Sequence, residues 1–293
     1  MNERLKVWIM ASRLRTLPAA IAPVIIGCAL AIADGAFHLG AAFAAMAGAI
    51  LIQIGTNYAN DYFDFINGAD NEKRVGPTRA TAAGLIKPNA MRAAFITTFA
   101  LTIPVIIVLT LRGGWPIVLI GIASIISGIL YTGGPRPLGY MGLGDLFVLV
   151  FFGPVAVAGT YYVQALTLPP EAIIAGLAPG LISTAILVVN NLRDVHTDAE
   201  VGKRTLAVRF GETFARIEYL ATLFLAILIP PALVAMTSSH GLAIAASFIW
   251  IPAIAPITAM WTESGRALDP NLAKTGQLLA LYSVLFSIGW IVS

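Results

Sequence analysis

Charge is the scarcest property of this sequence. Only 11% of its 293 residues are Asp, Glu, Lys or Arg, where a soluble domain carries about a quarter. With 58% hydrophobic residues and a mean hydropathy of +0.85, that deficit excludes an ordinary water-soluble domain. Cysteine is nearly absent too: Cys28 is alone, so no intramolecular disulfide forms and no thiolate metal cluster is expected. It reads as a small packing residue inside an apolar run. The three histidines give no catalytic pattern. His38 and His240 fall on short turns, and His196 reads as a solvated loop residue. A net charge of +3 is modest, and no nucleic-acid partner is expected. No small-residue cleavage site follows the basic segment Met1 to Thr16, so no removable signal peptide is expected.

What the sequence has is long apolar runs. Nine stretches approach the ~20 residues a helix needs to cross a ~30 Å hydrocarbon layer. They run roughly over 17–34, 40–66, 91–111, 115–132, 144–164, 171–193, 213–236, 241–261 and 272–292. The expectation is an all-α polytopic bundle of about nine transmembrane helices, forming one membrane-embedded domain over 1–293. Assigning the connections to alternate faces puts 17 of the 18 Lys and Arg on one side, leaving only Arg112 on the other. That asymmetry predicts a cytoplasmic N-terminus in a cell inner membrane. The long connections, 67–90 and 194–212, lie on the same basic face, so the chemistry is expected there.

Both long connections begin with acids. The second span ends Asn57-Tyr-Ala-Asn60-Asp61-Tyr-Phe-Asp64, and Asp70 follows after Gly68. Asn57, Asp61 and Asp64 differ by four and three residues, which puts them on one helical face. The sixth span ends Asn190-Asn191-Leu-Arg193-Asp194-Val-His196-Thr-Asp198, where Asn190, Asp194 and Asp198 form a similar stripe. Helix capping and surface ion pairing are the plainer account of one such acid. Two stripes at one membrane face point to function instead. Facing carboxylates repel one another, so cations belong to the site. Oxygen donors without a Cys cluster favour Mg²⁺, which is commonly shared with substrate phosphates. Lys73, Arg74 and Arg79 follow the first stripe, and Lys203, Arg204 and Arg209 the second. Arg74, Arg79 and Lys203 are the candidate diphosphate ligands.

These residues resemble the UbiA superfamily of intramembrane prenyltransferases, whose two aspartate motifs lie on helices two and six. Within it the chain is most similar to the branch that prenylates 1,4-dihydroxy-2-naphthoate in menaquinone synthesis. The resemblance is carried by Arg13-Leu-Arg-Thr-Leu-Pro18, Asn60-Asp-Tyr-Phe-Asp64 with Gly76-Pro-Thr-Arg79, Tyr131-Thr-Gly-Gly-Pro-Arg-Pro-Leu138 with Gly142-Leu-Gly-Asp145, and Phe151-Phe-Gly-Pro154 with Gly159-Thr-Tyr-Tyr162. It implies Mg²⁺ on Asp61, Asp64, Asp194 and Asp198, with Asn57 and Asn190 orienting them and Asn60 among the substrate-binding residues, and polyprenyl diphosphate and 1,4-dihydroxy-2-naphthoate as substrates. The family pattern NDxxDxxxD places a third aspartate at position 68, where this chain has Gly68, with Asp70 the nearest substitute. The basic residue expected after Tyr131 is displaced to Arg136. Tyr58, Tyr62, Phe63 and Tyr131 are candidates to face an allylic cation. Arg13 and Arg15 are candidates for the acceptor carboxylate. Transfer to 4-hydroxybenzoate shares the same diphosphate machinery, and an ion-coupled transporter is the alternative of a different class.

Overall fold

A computed structural model describes residues 2–70 and 75–293, so Lys73 and Arg74 lie outside the described residues. Over those residues the chain is helical, with no strand. In order come α1 (Glu3–Ala11), α2 (Leu17–Ala33), α3 (Leu39–Ile66), α4 (Pro88–Gly113), α5 (Trp115–Leu130), α6 (Gly144–Phe151), α7 (Pro154–Ala165) and α8 (Pro170–Arg193). Then follow α9 (Val195–Glu200), α10 (Leu206–Phe210), α11 (Glu212–Thr237), α12 (Trp250–Thr262) and α13 (Asp269–Val292).

All nine expected apolar segments are helical. Among the described residues eight stretches are long and apolar enough to cross a bilayer, and α5, at 16 residues, is a shorter ninth apolar helix. Two expected spans are interrupted. The segment expected at 144–164 breaks between α6 and α7, where Gly153 precedes Pro154. Proline disfavours a helical residue before it and has no N–H to donate. The segment expected at 241–261 opens as a 3₁₀ helix over Gly241–Ile249 before continuing as α12.

Side chains sort as they do in lipid. Leu111, Phe43, Ile251, Ile107 and Leu101 are exposed on the outer surface of the bundle. An apolar belt of that extent is untenable in water and normal against acyl chains. The chain is a multi-pass integral membrane protein. Inside, α8 is the most enclosed span, carrying Ala172, Ala175, Gly176, Ala178, Gly180 and Ala185. Small residues let backbones approach closely where dispersion, not water exclusion, drives helix association. A Cβ on Gly153 would sit 2.3 Å from the carbonyl oxygen of Leu149 and 2.6 Å from that of Gly176, so the α6–α7 break is pressed directly onto α8. The C-terminal ends of α3 and α8 open onto one cavity, where the two acidic motifs share Lys203.

Candidate active site

The last two turns of α3 pin three loops. Asn57 donates to the Ser12 carbonyl at 2.9 Å and to Thr16 Oγ1 at 3.0 Å, tying down the segment between α1 and α2. Asn60 Oδ1 accepts from Thr132 Oγ1 at 2.9 Å, holding the loop after α5. Asp61, 1% exposed, accepts the backbone N–H groups of Ala80 and Thr81 at 3.0 and 2.9 Å and so fastens the loop before α4.

Asp64 is surrounded by donors. It accepts from the Tyr140 hydroxyl at 3.0 Å and Arg79 Nη2 at 3.3 Å, and pairs with Lys203 Nζ at 3.3 Å. Burial, and next the adjacent Asp64 charge, push the Tyr140 phenol pKa up, so its proton stays in place for donation. Lys203 also stands 4.0 Å from Asp198 and 4.9 Å from the Tyr140 ring centroid. One ammonium therefore bridges a carboxylate of the first motif and one of the second.

The second motif is built around Arg193. Its Nε and Nη2 reach the two oxygens of Asp194 at 2.9 and 2.6 Å, Nη2 also donates to Asn190 Oδ1 at 2.7 Å, and Nη1 donates to Asp269 Oδ1 at 2.9 Å. The expected single helical stripe is bent, because α8 ends at Arg193 and Asp194 caps it. The Asp198 N–H bonds back to the Asp194 carbonyl at 2.8 Å and keeps Asp198 on the same side.

These groups form the polar end of one cavity of about 1010 Å³. Asn57, Asn60, Asp61, Asp64, Arg79, Tyr131, Asn190, Asp194, Asp198, Lys203 and Arg13 all line it, as does Arg15. Beyond them the walls are apolar or small, among them Gly48, Ile52, Val105, Ile120, Val155 and Gly159. Asp64 and Ala45 both face the cavity from α3, and at 1.5 Å per residue their separation is about 28 Å, close to the depth of a bilayer core. Tyr131 reaches the wall because glycines make room. A Cβ on Gly144 would be 2.8 Å from its hydroxyl, and one on Gly139 would be 3.2 Å from its ring.

Two expected residues, Asp70 and Arg136, are placed elsewhere. Asp70 lies behind the wall. Gly68, at φ +70°, ends α3, and the N–H groups of Ala69 and Asp70 return to the Asp64 carbonyl. Asp70 then meets Arg79 Nε at 3.4 Å, so the chain does turn back, but onto Arg79. Arg136 is exposed on its loop and does not line the cavity, and Arg74 is outside the described residues. Of the four aromatics, only Tyr131 lines the cavity. Tyr58 packs on Trp8, and Tyr62 and Phe63 pack on Phe95. At about 100° per residue Tyr62 and Phe63 fall on other faces of α3 than Asp61 and Asp64, whereas Tyr58, three residues before Asp61, is turned onto Trp8. The sequence reading missed Tyr140, Arg193 and Asp269. Arg193 had a signal, standing between Asn190 and Asp194. Tyr140 and Asp269 had none.

The donor set suits Mg²⁺. Among the described residues no group of three or more His, Cys, Asp or Glu is placed to hold an ion. Asp64 and Asp198, however, converge on one cation, the Lys203 ammonium. Two hard-oxygen groups of this kind match an ion that takes one or two carboxylates and completes its shell with water and substrate phosphate.

The model of the UbiA prenyltransferase family matches residues 20–285. The chain belongs to that family. Among similar UbiA-family proteins, the 1,4-dihydroxy-2-naphthoate octaprenyltransferase of Escherichia coli (strain K12) is 39% identical, over 99% of this chain and 97% of its own. The enzyme of the same name from Mycobacterium tuberculosis is also 39% identical, covering 94% of each chain. UbiA prenyltransferase domain-containing protein 1 of Homo sapiens is 30% identical, over 97% of this chain and 83% of its own. In three dimensions the chain is similar to a UbiA homologue from Archaeoglobus fulgidus, solved bound to GPP and Mg²⁺. The TM-score is 0.68 at 16% identity, over 98% of this chain and 100% of that one. An apo UbiA homologue from Aeropyrum pernix K1 gives 0.74 at 14%, over 94% and 98%. At those identities the solved structures speak for the fold.

Proposed function

We propose that this UbiA-family chain transfers a polyprenyl group from polyprenyl diphosphate to 1,4-dihydroxy-2-naphthoate, releasing diphosphate and CO₂ and giving the demethylmenaquinol of menaquinone biosynthesis. One observation carries the reaction class: a single cavity joins a carboxylate-and-cation end to a long apolar channel, matching a diphosphate head with an isoprenoid tail. The acceptor rests on the 39% identity to two naphthoate octaprenyltransferases over nearly the whole chain.

Arg79 and Lys203, already at the polar end, bind diphosphate oxygens and draw the head to the mouth of the cavity. Mg²⁺ held by Asp64 and Asp198, supported by Asp61 and Asp194, would neutralise charge on the leaving diphosphate. The allylic C–O bond breaks with its electron pair going to the diphosphate, and the Tyr131 ring faces the resulting carbocation across the cavity. Apolar walls keep water from that cation. The electron-rich naphthoate then attacks through its carboxylate-bearing carbon. The product is a β-keto acid, which loses CO₂ and regains its aromatic ring without a strong enzymic base. That chemistry asks for no catalytic histidine. Arg13 and Arg15, at the same mouth, hold the acceptor carboxylate. Asp70 acts through Arg79, which it pairs with from behind. The basic asymmetry supports placing the polar end, and the N-terminus, on the cytoplasmic side of the inner membrane.

The test is prenyl transfer by detergent-purified protein given a labelled allylic diphosphate, Mg²⁺, and either 1,4-dihydroxy-2-naphthoate or 4-hydroxybenzoate. Lipid-soluble product with CO₂ from the naphthoate alone, lost with EDTA, is the expected result. Product from the benzoate alone would overturn the acceptor, and no product from either would overturn the reaction.

A further inference from the structure

A buried charge network ties the second motif to the last helix. Arg193 is 3% exposed, and all three guanidinium nitrogens are engaged, two on Asp194, one of those also on Asn190, and the third on Asp269. Asp269 lies 76 residues further along the chain, at the start of α13 and outside both motifs. It too lines the cavity.

Counting charges gives Asp269 a purpose. Were Arg193 paired with Asp194 alone, the pair would be neutral and both Asp194 oxygens consumed. Drawing Asp194 toward another cation would then strand a buried guanidinium, a heavily penalised state. With Asp269 present the trio carries a net −1, and Arg193 keeps a partner when Asp194 turns elsewhere. Asp269 keeps its own charge cheaply. Its side chain is 38% exposed, and it lies in the first turn of α13, where the helix dipole favours an anion.

We propose that Asp269 is a positioning residue of the diphosphate site: by retaining Arg193 on α13 it frees Asp194 and Asn190 to serve a cation–diphosphate group at the polar end of the cavity. This rests on the prenyl-transfer reading above and extends it to a helix that carries neither motif.

The experiment is titration calorimetry of the full-length protein with inorganic pyrophosphate and Mg²⁺, alongside melting in the same detergent. Asp269→Asn is expected to bind about ten-fold more weakly than wild type, with its melting temperature unchanged, because Arg193 then closes on Asp194 alone. Asp269→Glu is expected to restore binding. In an Arg193→Gln background, Asp269→Asn is expected to have no further effect, since no guanidinium remains to be retained. In turnover, the KM for the prenyl diphosphate rises in Asp269→Asn while that for the naphthoate does not. Equal affinity in wild type and Asp269→Asn, a folded Asp269→Glu as weak as Asp269→Asn, or an undiminished penalty in the Arg193→Gln background would overturn the proposal alone. Failure of the wild type to bind Mg²⁺-pyrophosphate would overturn the underlying reading with it.

Discussion

Asp61 and Asp64 stand three residues apart on the same helical face, yet they do different work. Asp61 spends both oxygens on the backbone N–H groups of Ala80 and Thr81. An amide in its place offers one oxygen, and its NH₂ faces a second donor. Asp61→Asn is therefore expected to cost about 1–3 kcal/mol of stability, read as a lower melting temperature, as well as to reduce activity. Asp64 instead collects Tyr140, Arg79 and Lys203, so its charge matters more than its shape. Asp64→Asn is expected to lower kcat by about 100-fold. Arg136→Ala serves as the contrast. Exposed and away from the cavity, that side chain is expected to contribute under about 0.5 kcal/mol to stability and to leave the transfer rate near wild type in the same assay. The acids were legible in the sequence because i, i+3 and i, i+4 spacing is a local property. Arg79 and Lys203 were legible beside them, but Tyr140 and Asp269 were not, because they reach the site from other parts of the chain.

At the scale of elements, the decisive contact is between the α6–α7 break and α8. Gly153 and Gly176 bring two backbones together with no space for a methyl group. Gly176→Ala would place a Cβ 2.6 Å from Pro154 Cα and is expected to destabilise the protein by about 1–3 kcal/mol, measured by thermal unfolding in detergent. Gly159, on α7, meets only Ile120 Cδ1 at 3.7 Å, so Gly159→Ala is expected to stay within about 0.5 kcal/mol in the same measurement. The nine apolar segments were readable from length and composition. The interruption inside 144–164 was foreshadowed by Gly153-Pro154, but hydropathy alone runs through it. The 3₁₀ stretch over Gly241–Ile249 left no composition signal, since that segment is as apolar as its neighbours. It forms where a Cβ on Gly289 would be 2.4 Å from the Leu242 carbonyl oxygen, so α13 presses on its backbone.

At the scale of the whole molecule, the proposed orientation makes a prediction independent of catalysis. With Cys28 replaced by serine, Ser239→Cys and Glu200→Cys place single thiols at opposite ends of the bundle, both exposed. A membrane-impermeant maleimide applied to spheroplasts is expected to label position 239 and spare position 200, and the reverse pattern would invert the topology. The same asymmetry bears on substrate entry. Lys203, Arg79, Arg13 and Arg15 cluster at one end of the cavity, so a diphosphate is attracted there, while the apolar remainder extends toward the opposite membrane face.

The sequence by itself determined the class of the molecule and the chemistry of its polar end. Hydrophobic run length is set by bilayer thickness, charge asymmetry by insertion, and carboxylate stripes by the pitch of a helix, and each of these is written in consecutive residues. Only the tertiary structure decided which carboxylates face a cation and which hold loops. That choice depends on donors brought in from distant segments, on close contacts between the α6–α7 break and α8, and on a loop turned back at Gly68. Asp64 became the residue that meets Lys203, and Asp61 the residue that fastens a loop, because the fold delivered different partners to neighbouring positions on the same turn.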